Sequence, residues 1–84
     1  MSTPTHVLKA LANYYRYWII QILVAGEVSV TSLTNLLGLS QPSVSQHLQI
    51  LLRAGIVKTR RDARNVFYSI KDKRVLRILK ILEG

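Results

Sequence analysis

Residues Leu39 to Leu51 read L-S-Q-P-S-V-S-Q-H-L-Q-I-L, and this stretch decides the fold. Ser40 can cap a helix, because its hydroxyl can accept from an otherwise unpaired N–H of the first turn. Pro42 falls in that turn, where its missing N–H costs nothing. Leu39 before the cap and Val44 four residues after it have the placement of a hydrophobic staple. Val44, Leu48, Leu51 and Leu52 recur at helical spacing and must face a core. The spacing predicts a helix from Gln41 to about Arg53, with Gly55 ending it. Its outward residues are Gln41, Ser43, Ser45, Gln46 and Gln49. All can hydrogen-bond and none is charged.

Working outward, Ser29 can cap a preceding helix, Val30 to Leu37, with Leu33, Leu36 and Leu37 on its apolar face. Gly38 ends it, and the turn Gly38 to Gln41 joins the two helices. A short helix pair with Gly in the turn is the helix-turn-helix unit, whose second helix enters the major groove. After about four loose residues, Thr5 to Ala12 reads as a short helix with Val7, Leu8 and Leu11 on one side. Tyr14 to Ala25 reads as a second helix, apolar nearly all round as a central core helix should be, and Gly26 fits its C-terminal cap. Downstream, Ile56 to Arg61 and Val66 to Ile70 are rich in β-branched and aromatic residues and flank the turn-like Asp62-Ala63-Arg64-Asn65. This is a hairpin signal, and a hairpin after a helix-turn-helix is a wing. Asp72 can cap a last helix that runs to about Leu82. The expected fold class is mainly α with a small β-hairpin: a winged helix-turn-helix in the order α-α-α-α-β-β-α, one domain over residues 1–84.

The charge is unevenly placed. The 84-residue chain has a formal net charge of +8. Residues 1–52 hold Lys9 and Arg16 against Glu27, whereas residues 53–84 hold ten Lys or Arg against Asp62, Asp72 and Glu83. Such asymmetry points to a polyanion, either nucleic acid or an anionic membrane surface. There is no cysteine, which excludes disulfides and thiolate metal sites. The longest apolar run, Trp18 to Ala25, is interrupted by Gln21 and is too short to span a membrane. No signal peptide is apparent, so a cytoplasmic protein is expected. With four carboxylates, two His and no defensible nucleophile–base spacing, no enzyme is expected. Hydrophobic residues make up 49% of the chain, more than so small a core needs, so a second copy of the chain is expected to cover some of them.

L-K-A-L-A-N at residues 8–13, the helix pair, L-S-Q-P-S-V-S-Q-H-L-Q-I-L, A-G-I-V at 54–57 and R-R-D-A-R-N-V-F-Y-S-I at 60–70 together resemble the ArsR/SmtB family of winged-helix transcriptional repressors. The resemblance covers about residues 7 to 82. It implies a homodimer built from the first and last helices (about 5–12 and 72–82), an inverted-repeat operator, and repression relieved by an effector, often a metal. Departures remove the metal. Ser29 and Thr31 stand where many members carry a cysteine pair, and neutral hydroxyls cannot hold a soft metal tightly. Asp72 in the last helix has Lys73, Arg74, Arg77 and Lys80 around it and no His. No metal and no cofactor are therefore expected. A prokaryotic cell, or a plasmid or virus of one, is the implied host.

Residue roles follow from this frame. Ser43, Ser45, Gln46 and Gln49 are expected at DNA bases. Gln41, His47, Lys58, Arg60, Arg61 and Arg64 are expected at the backbone or minor groove. The Gln pair suits adenine, so an A·T-containing half-site is expected. Ala63 stands where the family's wing usually has Gly. Because Ala disfavours positive φ, a longer type I-like loop with Arg64 near its tip is expected instead of a tight primed turn. Val7, Leu8, Leu11, Val75, Leu76, Ile78, Leu79 and Leu82 are expected at the dimer interface. Tyr14, Tyr15, Tyr17 and Trp18 form an aromatic cluster that suits core and dimer packing, with a small-molecule pocket as the alternative. His6 lies near the loose N-terminus and reads as solvated. Two competing functions remain: a winged-helix protein-interaction module with only non-specific DNA binding, and a membrane-surface protein using the basic, apolar last helix.

Overall fold

The computed structural model describes residues 3–84; Met1 and Ser2, part of the expected loose N-terminus, lie outside the described residues. The helices are α1 (Pro4–Leu11), α2 (Tyr14–Leu23), α3 (Val30–Leu37), α4 (Gln41–Arg53) and α5 (Arg74–Glu83). The strands are β1 (Val28–Ser29), β2 (Val57–Asp62) and β3 (Asn65–Ile70). The sheet is antiparallel, with spatial order β1-β3-β2. This is the expected winged helix-turn-helix with one addition. Val28 and Ser29 pair with Tyr68 and Phe67, which makes the hairpin a three-stranded sheet.

Local chemistry explains the helix starts. The Thr3 hydroxyl accepts from the His6 N–H, Asn13 Oδ1 from the Tyr15 and Arg16 N–H groups, Ser29 Oγ from Ser32, and Ser40 Oγ from Ser43. Thus Ser29 is both the end of β1 and the cap of α3. Helix α1 starts at Pro4, which places His6 on the helix instead of in a loose segment. Helix α2 stops at Leu23, short of the expected Ala25, because the chain must leave the helix for Val28 to reach β3. Gly38 sits at φ 68 with its N–H on the Thr34 carbonyl, a left-handed turn that a side chain would resist. At the head of α5, Asp72 Oδ1 accepts from the Arg74 N–H. The same carboxylate grips the Arg74 guanidinium, with Nη2 2.6 Å from Oδ2.

Ile19 and Ile20 of α2, Leu33 of α3, Val44, Leu48 and Leu51 of α4, and Ile56, Val57 and Val75 are almost wholly enclosed in one core. Val7 and Leu11 of α1 and Leu79 of α5 join them. The wing turn departs from expectation. Asp62 pairs with Asn65, leaving Ala63 and Arg64 as a tight two-residue turn instead of a longer loop. Ala63 takes φ 53, the only positive φ outside glycine among the described residues. The continuous pairing from Val57↔Ile70 to Asp62↔Asn65 imposes the turn, and the alanine accepts the strain.

Two outcomes check this fold. Ala63→Gly should stabilise the domain by about 0.5–1 kcal/mol in urea unfolding, since a left-handed non-glycine residue costs about 1–2 kcal/mol and the added chain entropy returns part of that. Asp72 has its pKa held below the ordinary carboxylate value, first by the Arg74 side-chain hydrogen bonds and further by the Arg74 N–H and charge, against the opposing effect of burial. A depressed folded pKa contributes stability above the unfolded value and loses it as pH falls through the folded one. Asp72→Asn should therefore lower the unfolding midpoint at neutral pH and converge on the parent in strong acid.

Candidate nucleic-acid interface

Helix α4 is fixed in rotation by Val44, Leu48 and Leu51, at most 1% exposed. Residues half a turn away must face outward. Gln41, Ser45, Gln46 and Gln49 are exposed, and Ser43 is half-buried with its hydroxyl accepting from the Ser40 hydroxyl at 3.0 Å. Pro42, Ser43, Ser45, Gln46, Gln49, Ile50 and Arg53 line a shallow concavity along this side of the helix. The structure thus groups Ser43, Ser45, Gln46 and Gln49 on one surface.

His47 does not belong to that surface. It is three residues after Val44 and four before Leu51, so it falls on the inward flank of the helix. Its ring lies 5.8 Å from that of Tyr15, and its Nδ1 lies 3.5 Å from an Arg16 guanidinium nitrogen. Arginine has no acceptor, so a hydrogen bond between them would have Nδ1 of a neutral imidazole as the acceptor. Burial, and then the Arg16 charge, hold the His47 pKa below its ordinary value. His47, expected at the DNA backbone, packs α4 against α2 in this chain. Arg16 itself donates from Nε to the Ala10 carbonyl at 2.6 Å and so fastens the end of α1. Tyr15 and Trp18 stack at 6.4 Å, with Tyr14 against both. Tyr17 points elsewhere, and its hydroxyl donates to Glu83 of α5 at 2.8 Å, beside Gln21.

The wing divides its charges by strand alternation. Pairing places Arg61 opposite Val66 on the face that carries Val57, Tyr68 and Ile70, whereas Lys58 and Arg60 share the other face with Phe67 and Ser69. Ser29 of β1 pairs with Phe67, so Glu27, two residues earlier, emerges on that same outer face. Arg60 lies 4.7 Å above the Phe67 ring and reaches Glu27 with two bonds, Nε to Oε2 at 3.0 Å and Nη2 to Oε1 at 2.8 Å. Asp62 is 3.8 Å from another of its nitrogens. The Arg60 hydrogen bonds keep the Glu27 carboxyl below its ordinary pKa, helped by the charges of Arg60 and Lys58 and opposed by burial. Arg60, expected at the DNA backbone or minor groove, is therefore already engaged by Glu27, Asp62 and Phe67 within the chain. The sequence carried no sign of it, because Glu27 is 33 residues away. Arg61 and Arg64 are exposed, and no ion pair holds them among the described residues.

The expected dimer residues also divide. Val7, Leu11, Val75 and Leu79 are buried within this one chain and offer no surface, because an amphipathic stripe serves the nearest core first. Leu76 and Ile78 are half-buried. Leu8 and Leu82 are 56% and 67% exposed, and Ile81, which was not assigned to the interface, is 80% exposed.

Comparison with known proteins fits this geometry. The family model for bacterial regulatory proteins of the arsR family matches residues 16–59. The transcriptional activator HlyU of Vibrio cholerae is 42% identical over 76 residues, covering 90% of this chain and 70% of HlyU. The solved HlyU structure superposes with a TM-score of 0.88 at 41% identity, over 93% of this chain and 85% of that one. The biofilm growth-associated repressor of Xylella fastidiosa is 35% identical over 77 residues, 92% of this chain and 68% of the repressor. A solution structure from Mycobacterium bovis, described as a homodimeric winged helix-turn-helix DNA-binding domain, is 32% identical with a TM-score of 0.84, over 94% of this chain and 73% of that one. The chain belongs to the arsR family of bacterial regulatory proteins. It is a DNA-binding transcriptional regulator of the winged helix-turn-helix class. Among the described residues, no helix is long and apolar enough to cross a membrane.

The wing geometry makes a prediction. Glu27→Gln removes the charged acceptor and frees Arg60 from its fixed place. Binding to any DNA should tighten and its salt dependence should steepen, as read by fluorescence anisotropy over a salt series. Unchanged binding would mean that Arg60 stays on Phe67 without Glu27.

Proposed function

We propose that the protein binds an inverted-repeat operator as a homodimer, with α4 in the major groove and the wing on the backbone or minor groove, and that it represses by occupying the site. The observation that carries this reading is the rotation of α4. The buried stripe turns Ser45, Gln46 and Gln49 outward together, with no charged group among them, while Arg61 and Arg64 stand unpaired on the wing. Base reading and phosphate holding are thereby given to different elements. Gln46 and Gln49 can each pair with an adenine edge through both amide atoms. Ser43 and Gln41, at the N-terminal end of α4, are positioned for the first bases and the adjoining phosphate.

Dimerisation is supported by Leu8, Ile81 and Leu82, large apolar side chains exposed on the first and last helices, and by the homodimeric M. bovis relative. A two-fold dimer places two recognition helices about one helical turn apart on the duplex. Repression needs no further contact, since a dimer on an operator overlapping a promoter excludes polymerase. The relatives carry both signs, an activator and a repressor.

Selection of bound duplexes from a random pool at near-physiological salt tests the reading. A palindromic site with A·T base pairs in each half is expected. Gln46→Ala should then cost about 1–3 kcal/mol on the selected site and relax preference at one position in each half. Recovery of unselected DNA would overturn the reading and leave α4 to a protein partner. Ile81→Glu combined with Leu82→Glu should yield monomers in sedimentation and weaken operator binding with the fold intact. A dimer that persists would move the interface elsewhere.

A further inference from the structure

A second basic feature lies away from the wing. Helix α1, the start of α2 and the last turn of α4 border an open cleft of about 520 Å³. His6, Lys9, Arg16 and Arg53 line it, and no carboxylate does. Its floor is small and apolar, formed by Ala10, Ile50 and Ala54. Lys9 and Arg16 are the only Lys or Arg in the first 52 residues, and Arg53 is the next along the chain. The fold brings all three to one place. Glu27, the only acid before Asp62, is held on the wing by Arg60 and cannot serve as their counter-charge.

Like charges gathered without a carboxylate repel one another, and the repulsion is relieved when an anion enters. The cleft also borders the outward side of α4, because Ile50 and Arg53 line both the cleft and the concavity that holds Gln46 and Gln49. An anion seated there would lie beside whatever α4 reads. We propose that this cleft holds a backbone phosphate of the same duplex, a second grip on the DNA contributed by α1 and the end of α4 and independent of the wing. The inference rests on the DNA-binding reading given above. Arg16 serves as a fixed wall of the cleft, since its Nε is committed to Ala10. Lys9 and Arg53 are exposed and supply the adjustable charge.

The test measures binding of the full chain to a selected operator and to an unrelated duplex over a salt series, for the parent and for Lys9→Gln, Arg53→Gln and Arg64→Gln. Each substitution should weaken both duplexes several-fold by the same factor and lower the salt slope by about one unit. Lys9→Gln and a wing substitution combined should lower it by about two. Thermal unfolding checks that each variant is folded, and Lys9→Gln, on the exposed side of α1, carries the test if Arg53→Gln is not. A slope unchanged by the cleft substitutions but lowered by Arg64→Gln overturns the proposal. If inorganic phosphate still shifts the cleft's amide resonances in that case, the cleft belongs to a free anion and the duplex assignment is lost. If the parent prefers neither duplex while the cleft substitutions lower the slope, the cleft stands and sequence-specific reading falls. No binding to either duplex overturns both.

Discussion

The burial of Val44, Leu48 and Leu51 against α2 and α3 is the constraint on which the rest depends. A helix with one buried stripe has a single permitted rotation, and a shift of one residue swings every side chain by about 100°. Here that rotation is set by side chains that are at most 1% exposed. Leu48→Ala would leave a cavity worth about 2–5 kcal/mol. The same three core residues therefore decide which polar groups of α4 face outward. In the proposed reading, stability and recognition share one helix and use opposite sides of it.

Apart from Arg53 in its last turn, α4 carries no charge, and the other cations lie around this helix. A chain of net charge +8 must keep its cations from competing with the weaker, directional hydrogen bonds of amides and hydroxyls. For the wing cations the structure does so by distance. Arg61 and Arg64 sit on a hairpin that reaches away from the core, and Lys9 and Arg53 flank the far end of α4. Arg60 is neutralised by Glu27 and Arg74 is paired with Asp72. Formal charge thus overstates what a polyanion would meet, and the pairs within the chain select which cations remain.

Much of this was legible in the residues themselves. Cap, staple and apolar stripe bracket α4 so tightly that its expected bounds, Gln41 to about Arg53, are those found. Local patterns also place α3 and both wing strands. What was not legible depends on partners distant in sequence. A two-residue strand, β1, has no periodicity to detect and exists only through Tyr68 and Phe67. The wing turn could not be read from Ala63, since strand pairing overrode the residue's own preference. An amphipathic stripe says that Val75 and Leu79 will be covered, not by what; the chain's own core covers them. The packing of His47 was partly legible, because it lies beside the apolar stripe of Val44, Leu48 and Leu51, but its neighbours Tyr15 and Arg16 were not.

The clamp of Arg60 between Phe67 and Glu27 bears on how rigidly the hairpin is carried. It links β2 to the segment before β1 across the intervening strand β3. An isolated two-stranded ribbon would sample many twists and would have to be ordered on contact. Here the conformational entropy of the ribbon's base is surrendered during folding, before any ligand arrives. Association then has to order only the side chains near the tip, each at about 0.5–1.5 kcal/mol. The base of the wing is thus ordered in the free chain by its strand pairing, with Glu27, outside the wing itself, adding one further link.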